Sequence, residues 1–131
     1  MRYERGITFG VFDLLHVGHV RLLEAARSRC DHLTVCVTTD DYAEVRKGRR
    51  PVVPFGQRCE LVAALRAVDY VSGQWEQMTK THAVERYNPD AIFVGDDWTP
   101  ATFDGEGLGV PVVYLPYTRD VSSTKIREAL T

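Results

Sequence analysis

The stretch that most constrains this chain is Ile7-Thr8-Phe9 followed by Gly10-Val11-Phe12-Asp13-Leu14-Leu15-His16-Val17-Gly18-His19. A β-branched and aromatic run favours a strand, and apolar side chains at three-and-four spacing favour a helix. Ile7 to Phe12 therefore predicts a first strand, buried on both faces. Val17 to Cys30 predicts a first helix, with Val17, Val20, Leu22, Leu23, Ala26 and Cys30 as its apolar face. A strand that feeds a helix through a turn holding Gly and two His suits phosphate. The helix start offers N–H groups without intrahelical partners and the positive end of the dipole. His16 and His19, three residues apart, fall on one side of the first turn, so both can face one anion. Two other readings stay open. A lone His at a helix start commonly serves as a cap or a surface residue. Asp13, His16 and His19 also have the side-chain types of a zinc site, although their spacing is not the i, i+4 pair of helical zinc sites.

The same alternation continues. Leu33 to Thr38 predicts a second strand, ending in the polar groups Thr39-Asp40-Asp41. Residues 42–54 predict a loop, or a short helix and then a loop, carrying the densest positive cluster, Arg46-Lys47-Gly48-Arg49-Arg50. Pro51 and Pro54 limit helix there, so this segment is expected to act as a mobile flap that brings cations to a polyanion. Gly56 to Ala67 and Gln74 to Tyr87 predict further helices, the second packed through Trp75, Met78, Ala83 and Tyr87. A short strand, Asp69 to Ser72, lies between them. Asn88-Pro89-Asp90 is a break. Ala91 to Val94 predicts a fourth strand, and Val110 to Leu115 a fifth. Val121-Ser122-Ser123-Thr124 then leads into a final helix from Lys125 to Leu130. Its hydroxyls can cap the helix or hold phosphate oxygens.

Strands alternating with helices imply a parallel sheet covered on both faces. Right-handed crossovers put every strand-to-helix turn on one edge. The His pair, Asp40, Gly95–Trp98 and the start of the last helix should meet there. At 131 residues, with 44% hydrophobic side chains, one domain with a packed core is expected. The formal charge of −2 argues against a dedicated nucleic-acid binder. No apolar run reaches the ~20 residues needed to span a bilayer, and the N-terminus lacks a signal-peptide core. A cytoplasmic location is expected, with Cys30, Cys36 and Cys59 as reduced thiols.

These motifs resemble the cytidylyltransferase family of small nucleotidyltransferases over nearly the whole chain. Gly10–His19 is similar to the family's first signature, with its HxGH element, and Val121–Ile126 to its second. Gly95-Asp96-Asp97-Trp98 and Trp75-Glu76-Gln77 look most like the glycerol-3-phosphate branch. The resemblance implies a single-domain, Rossmann-like, doubly wound α/β fold with a mainly parallel five-stranded sheet. It implies transfer of CMP from CTP to an alcohol phosphate, with Mg²⁺ arriving on the nucleotide, held mainly by phosphates and by Asp13 at most. A homodimer is also implied. His16, His19 and Lys47 would be catalytic, with Arg49 or Arg46 beside Lys47. Gly10, Phe12, Asp13, Gly18, Asp96, Thr118, Arg119, Ser122, Ser123 and Thr124 would bind the nucleotide. Asp40, Arg66, Asp69 and Trp75 would bind the acceptor, unless Arg66 and Asp69 form a structural ion pair. Arg58 would reach the phosphates or lie on the surface, and Trp98 would line the pocket or pack.

The branch usually carries Arg-Thr-Glu-Gly before its second signature, where this chain has Tyr117-Thr118-Arg119-Asp120. Tyr cannot reproduce the bidentate grip of Arg on phosphate. A different phosphate or phosphonate acceptor and a nucleotide sensor therefore stand as alternatives; the phosphate motifs serve ATP as well as CTP, which leaves an adenylyltransferase open, and Asp13, His16 and His19 leave a metal hydrolase open.

Overall fold

The computed structural model describes residues 2–116 and 122–130. Its elements are β1 (Tyr3–Gly10), α1 (Val17–Arg27), β2 (Cys30–Thr38), α2 (Asp40–Lys47), α3 (Phe55–Ala63), β3 (Tyr70–Gln74), α4 (Lys80–Tyr87), β4 (Ala91–Gly95), β5 (Val112–Leu115) and α5 (Ser123–Leu130). The strands form one sheet in the order β3-β2-β1-β4-β5, and every neighbouring pair is parallel. The expected α/β fold is present, and the sheet is wholly rather than mainly parallel.

Alternation along the strands divides the core in two. Leu33, Val35 and Val37 face Leu23 and Ala26 of α1 and Val62 of α3. Cys36, Ile7, Ile92 and Val94 face the other way, towards Ala83 of α4 and Phe103 in the turns before β5. Several predicted boundaries shift. The first strand stops at Gly10, because Phe12 and Leu14 adopt left-handed conformations, φ 55° and 49°. The first helix stops at Arg27, and Cys30 opens β2 instead of closing the helix. Gln74 ends β3, and α4 begins only at Lys80 after a turn in which Met78 N–H donates to Trp75 O at 2.9 Å.

The residues after β2 form a helix because their ends suit one. Thr39 Oγ1 accepts the Tyr42 N–H at 3.4 Å. Asp40 and Asp41 lie in the first turn, Arg46 and Lys47 in the last, and left-handed Gly48 closes α2. The segment beyond, expected to be a free flap, is anchored. Val52 and Val53 N–H groups each donate to Asp13 at 2.9 Å.

Arg58 accounts for much of that anchoring. It is neither on the surface nor free for phosphate, being fully buried on α3. Its Nε donates to Val53 O at 2.8 Å, Nη1 to Val11 O at 2.6 Å and Thr38 O at 2.8 Å, and Nη2 to Asp40 Oδ1 at 2.7 Å. The ends of β1 and β2, the start of α2 and the strap over 50–54 thus share one guanidinium. Burial pushes the Asp40 carboxyl up, but the Arg58 hydrogen bond, the Phe55 N–H and the Arg58 charge outweigh it and hold it below the usual range. Removing the guanidinium strands a carboxylate and three carbonyls. Arg58→Met is expected to cost about 3–5 kcal/mol in urea unfolding, and Arg58→Lys, which cannot reach all four acceptors, also to destabilise. A change below about 0.5 kcal/mol for Arg58→Met would contradict this role, since only substitutions away from such features are so mild.

Candidate functional site

The carboxyl ends of the strands form the working edge. β1 pairs with β2 as far as Gly10, but with β4 only at Gly6–Ala91 and Ile7–Ile92. The chain order reverses between β1 and β4, which is where an open α/β sheet forms its ligand crevice. Two clefts lie along this edge, of about 360 Å³ and 200 Å³. They share Val11, Ala43 and Lys47 as a common wall.

In the larger cleft the two signatures meet. Asp13, His16, Gly18 and His19 form one side, and Ser122, Ser123, Thr124 and Arg127 the other, with Lys47, Arg49 and Arg50 along the rim. The His rings stack with centroids 3.9 Å apart. His16 Nδ1 accepts the Gly18 N–H at 3.0 Å, and His19 Nδ1 accepts the His16 N–H at 3.1 Å. This is a capping box built from two imidazoles. The Gly18 N–H expected to greet an anion is therefore spent on the cap. In exchange, each ring has its proton on Nε2, the nitrogen left for a ligand. Burial lowers the His16 pKa. Burial, then the His16 charge, against the opposing pull of Asp13, lowers His19 to about 4. Both rings are neutral donors at pH 7.

Asp13 is buried beneath them. Oδ1 accepts the Leu14 N–H at 3.1 Å and the Val53 N–H at 2.9 Å. Oδ2 accepts the Val52 N–H at 2.9 Å and Arg127 Nη1 at 3.2 Å. With both oxygens doubly engaged, Asp13 acts as a joint between the strap and α5, not as the metal ligand allowed for above. The zinc reading loses its third ligand for the same reason. No group of three metal-ligand side chains occurs among the described residues.

At the start of α5, Ser122 Oγ accepts the Lys125 N–H at 3.0 Å and so serves as the cap. Ser123 Oγ donates to the Asp13 carbonyl, which ties α5 to the first signature. Thr124 Oγ1 accepts from Arg49 and Arg127, both at 3.3 Å. Arg127 escaped the sequence reading, though its position one turn after Ser123 and Thr124 places it on their face. Asp97 lines the cleft where Asp96 was expected. Gly10 leaves room for the Phe12 ring, which a Cβ there would meet at 2.8 Å. Phe12 in turn packs against His19, with ring centroids 5.4 Å apart.

The smaller cleft holds Phe9, Gly10, Gln74, Lys80, Trp98 and Phe103, with Arg46 and Asp104 at its side. Lys80 lies 5.1 Å from the Phe9 ring centre and 3.0 Å from Asp104, which also accepts from Arg46 at 2.9 Å. Trp98 thus lines a pocket. The four expected acceptor residues are not brought here. Asp40 is committed to Arg58. Trp75 lies exposed past the end of β3 and borders neither cleft. Asp69 sits at the opposite sheet edge, where its Oδ2 accepts from Arg27 and the Leu33 N–H, both at 2.8 Å. Its cation is Arg27 and not Arg66, which is exposed in the turn between α3 and β3. Thr118 and Arg119, with Tyr117 and Asp120, lie outside the described residues.

The neutral imidazole has a measurable consequence. The His19 pKa near 4 in the folded chain lies below its ordinary 6.5, so unfolding takes up a proton between those values. Its contribution to stability is full above pH 6.5 and falls as pH drops towards 4. His19→Gln keeps a cap acceptor but cannot titrate. Wild type should lose roughly 2 kcal/mol more than His19→Gln between pH 7 and 5, read by urea unfolding. Equal losses would contradict the assignment.

Glycerol-3-phosphate cytidylyltransferase of Bacillus subtilis (strain 168) is 38% identical over 129 residues, covering 97% of each chain. FAD synthase of Thermococcus sibiricus is 42% identical over 131 residues, covering 92% of this chain and 86% of that one. The crystal structure of the lipopolysaccharide core biosynthesis protein from Thermoplasma volcanium GSS1 shares the fold at a TM-score of 0.73 and 28% identity, covering 88% of this chain and 97% of that one. The family profile described as Cytidylyltransferase-like matches residues 7–129, and the chain belongs to that family.

Proposed function

We propose that this protein transfers CMP from CTP to a small phosphorylated alcohol, with glycerol-3-phosphate the first choice, giving a CDP-alcohol and pyrophosphate. The observation that carries this reading is the pair of clefts divided by Lys47. The larger, with two Nε2–H donors and the hydroxyl-lined start of α5, suits a triphosphate. The smaller suits the acceptor, and Lys47 can touch the phosphates of both.

An acceptor phosphate oxygen attacks the α-phosphorus in line, and the bond from that phosphorus to the bridging oxygen breaks. The electron pair leaves with pyrophosphate, and no covalent enzyme intermediate forms. A phosphate monoester is largely ionised at pH 7, with its second pKa about 6, so no strong base is required. The work lies in bringing two anions together and in meeting the charge that moves to the leaving group. His16 and His19 donate from Nε2, Lys47 screens the approach, and Arg49 and Arg127 meet the outer phosphates. The donor set suits a Mg²⁺ held by phosphate oxygens, since Asp13 has no acceptor to spare; such an ion would screen the triphosphate charge.

The 97% coverage by the Bacillus subtilis relative and the segment Gly95-Asp96-Asp97-Trp98 support the glycerol-3-phosphate branch as the first choice. The FAD synthase relative makes ATP the second reading. No helix among the described residues is long and apolar enough to cross a membrane. A cytoplasmic homodimer completes the proposal, and sedimentation reads the dimer.

Purified protein with Mg²⁺ is expected to release pyrophosphate from CTP with an alcohol phosphate, and to prefer CTP to ATP in direct competition. Failure to bind CTP, with no turnover of any acceptor, would sink the proposal. Preference for ATP would move it to the second reading. His16→Ala is expected to lower kcat on the order of 100-fold, the usual loss for a transition-state donor. An unchanged rate would contradict its role.

A further inference from the structure

Gln74, the last residue of β3, is 2% exposed and lines the smaller cleft. Its Oε1 accepts from Thr38 Oγ1 at 3.4 Å, and Thr38 Oγ1 also reaches Gly10 O at 3.3 Å. The one Thr38 hydroxyl proton is shared between these two oxygens, so the ends of β1, β2 and β3 meet at the amide. With Oε1 the accepting atom, Nε2 is the donor. That Nε2 is buried and has no hydrogen-bond partner among the described residues. An unpaired buried amide donor is costly, and an acceptor supplied by a ligand in the cleft removes that cost.

The surroundings narrow what that ligand is. Phe9, Phe103 and Trp98 give the cleft apolar walls. Arg46, Lys47 and Lys80 carry three positive charges against Asp104, which is already clamped between Arg46 and Lys80. Such a cleft draws an anion and repels a second positive charge. An orphaned N–H inside it asks for an oxygen.

We propose that Gln74 is a specificity-determining residue for the acceptor. Its Nε2–H donates to the middle hydroxyl oxygen, on the carbon next to the phosphate-bearing carbon, so acceptors with that hydroxyl are taken and ammonium-bearing ones are refused. The inference rests on the function proposed above and deepens it by naming the acceptor class. A site that pairs with a substrate hydroxyl rejects the analogue lacking it, because its own polar group is then left buried and unpaired. An aminoalkyl phosphate fares worse, since it brings donors only and a positive charge.

The test is a cycle between the residue and the substrate. Wild type and Gln74→Met are assayed with CTP and three acceptors: glycerol-3-phosphate, 3-hydroxypropyl phosphate, which lacks the middle hydroxyl, and phosphoethanolamine. For wild type, the KM for 3-hydroxypropyl phosphate is expected to exceed that for glycerol-3-phosphate about 10-fold, with phosphoethanolamine poorer still. In Gln74→Met the two acceptors without an ammonium group are expected to become equivalent, through a rise of about 10-fold in KM for glycerol-3-phosphate. CTP affinity should stay within about 2-fold, because the nucleotide cleft is untouched. The ligand-free variant should melt no lower than wild type, since an unsatisfied amide has been removed.

An unchanged KM ratio in Gln74→Met, a parallel loss of CTP binding, or a lower melting temperature would overturn the inference. So would wild type that uses phosphoethanolamine as well as glycerol-3-phosphate, a result needing no variant. Wild type that turns over alcohol phosphates while showing any of these removes the inference alone. Wild type that binds no CTP and turns over nothing removes the functional reading and this inference with it.

Discussion

Two buried charges hold the working edge of this fold, and they meet at one residue. Val53 donates its N–H to Asp13 and accepts from Arg58 through its carbonyl. Asp13 reaches on to Arg127 of α5, and Arg58 to Val11, Thr38 and Asp40. The two strand ends, the basic segment and the last helix are thus hydrogen-bonded into one frame. Burying a guanidinium or a carboxylate is expensive unless every lone pair and proton is met. Here both groups are met mostly by backbone atoms from elements far apart in sequence. The frame is therefore specific to one chain path.

The same frame explains how a site for two anions avoids self-repulsion before they arrive. The imidazoles are neutral, so the positive charge facing the larger cleft comes from Lys47, Arg49 and Arg50 at its rim and from Arg127, which pairs with Asp13 at 3.2 Å. Arg50 is partly offset by Asp41 at 2.6 Å. Donors that carry no charge at rest still point a dipole at the phosphates and need no reorganisation when charge shifts to the leaving group. On the other side of Lys47, three cations share one carboxylate and apolar walls. The two clefts are therefore electrostatically alike but chemically different: one hydroxyl- and imidazole-lined, the other aromatic.

The architecture was legible because the information was local. Strand-forming runs alternate with three-and-four periodicity, and a parallel sheet follows. The convergence of His16 and His19 with Ser122–Thr124 was legible too, since crossover handedness alone puts those turns on one edge. What the sequence could not show was how polar residues choose partners across space. Asp40, Asp13 and Arg58 carry the residue types of ligand binders, yet three of the four acceptors on Arg58 are carbonyls, which leave no trace in a sequence. Asp69 looked like a site residue by its match to a motif, but strand length puts the start of β3 at the far edge. Arg127 and Gln74 went unread for the opposite reason. One sits in an ordinary helical stretch, and the other reads as the first residue of a helix until β3 is seen to claim it.

The central claim is that the triphosphate lies between the two imidazoles and the start of α5, on the far side of Lys47 from the acceptor. A crystal structure of the protein with CTP and Mg²⁺ tests it most directly. The account predicts phosphate oxygens within hydrogen-bonding distance of Nε2 on both His16 and His19 and beside the first turn of α5, with the cleft around Gln74 left for the acceptor. A triphosphate seated against Lys80 and Gln74, or imidazoles bonded to a metal, would contradict it.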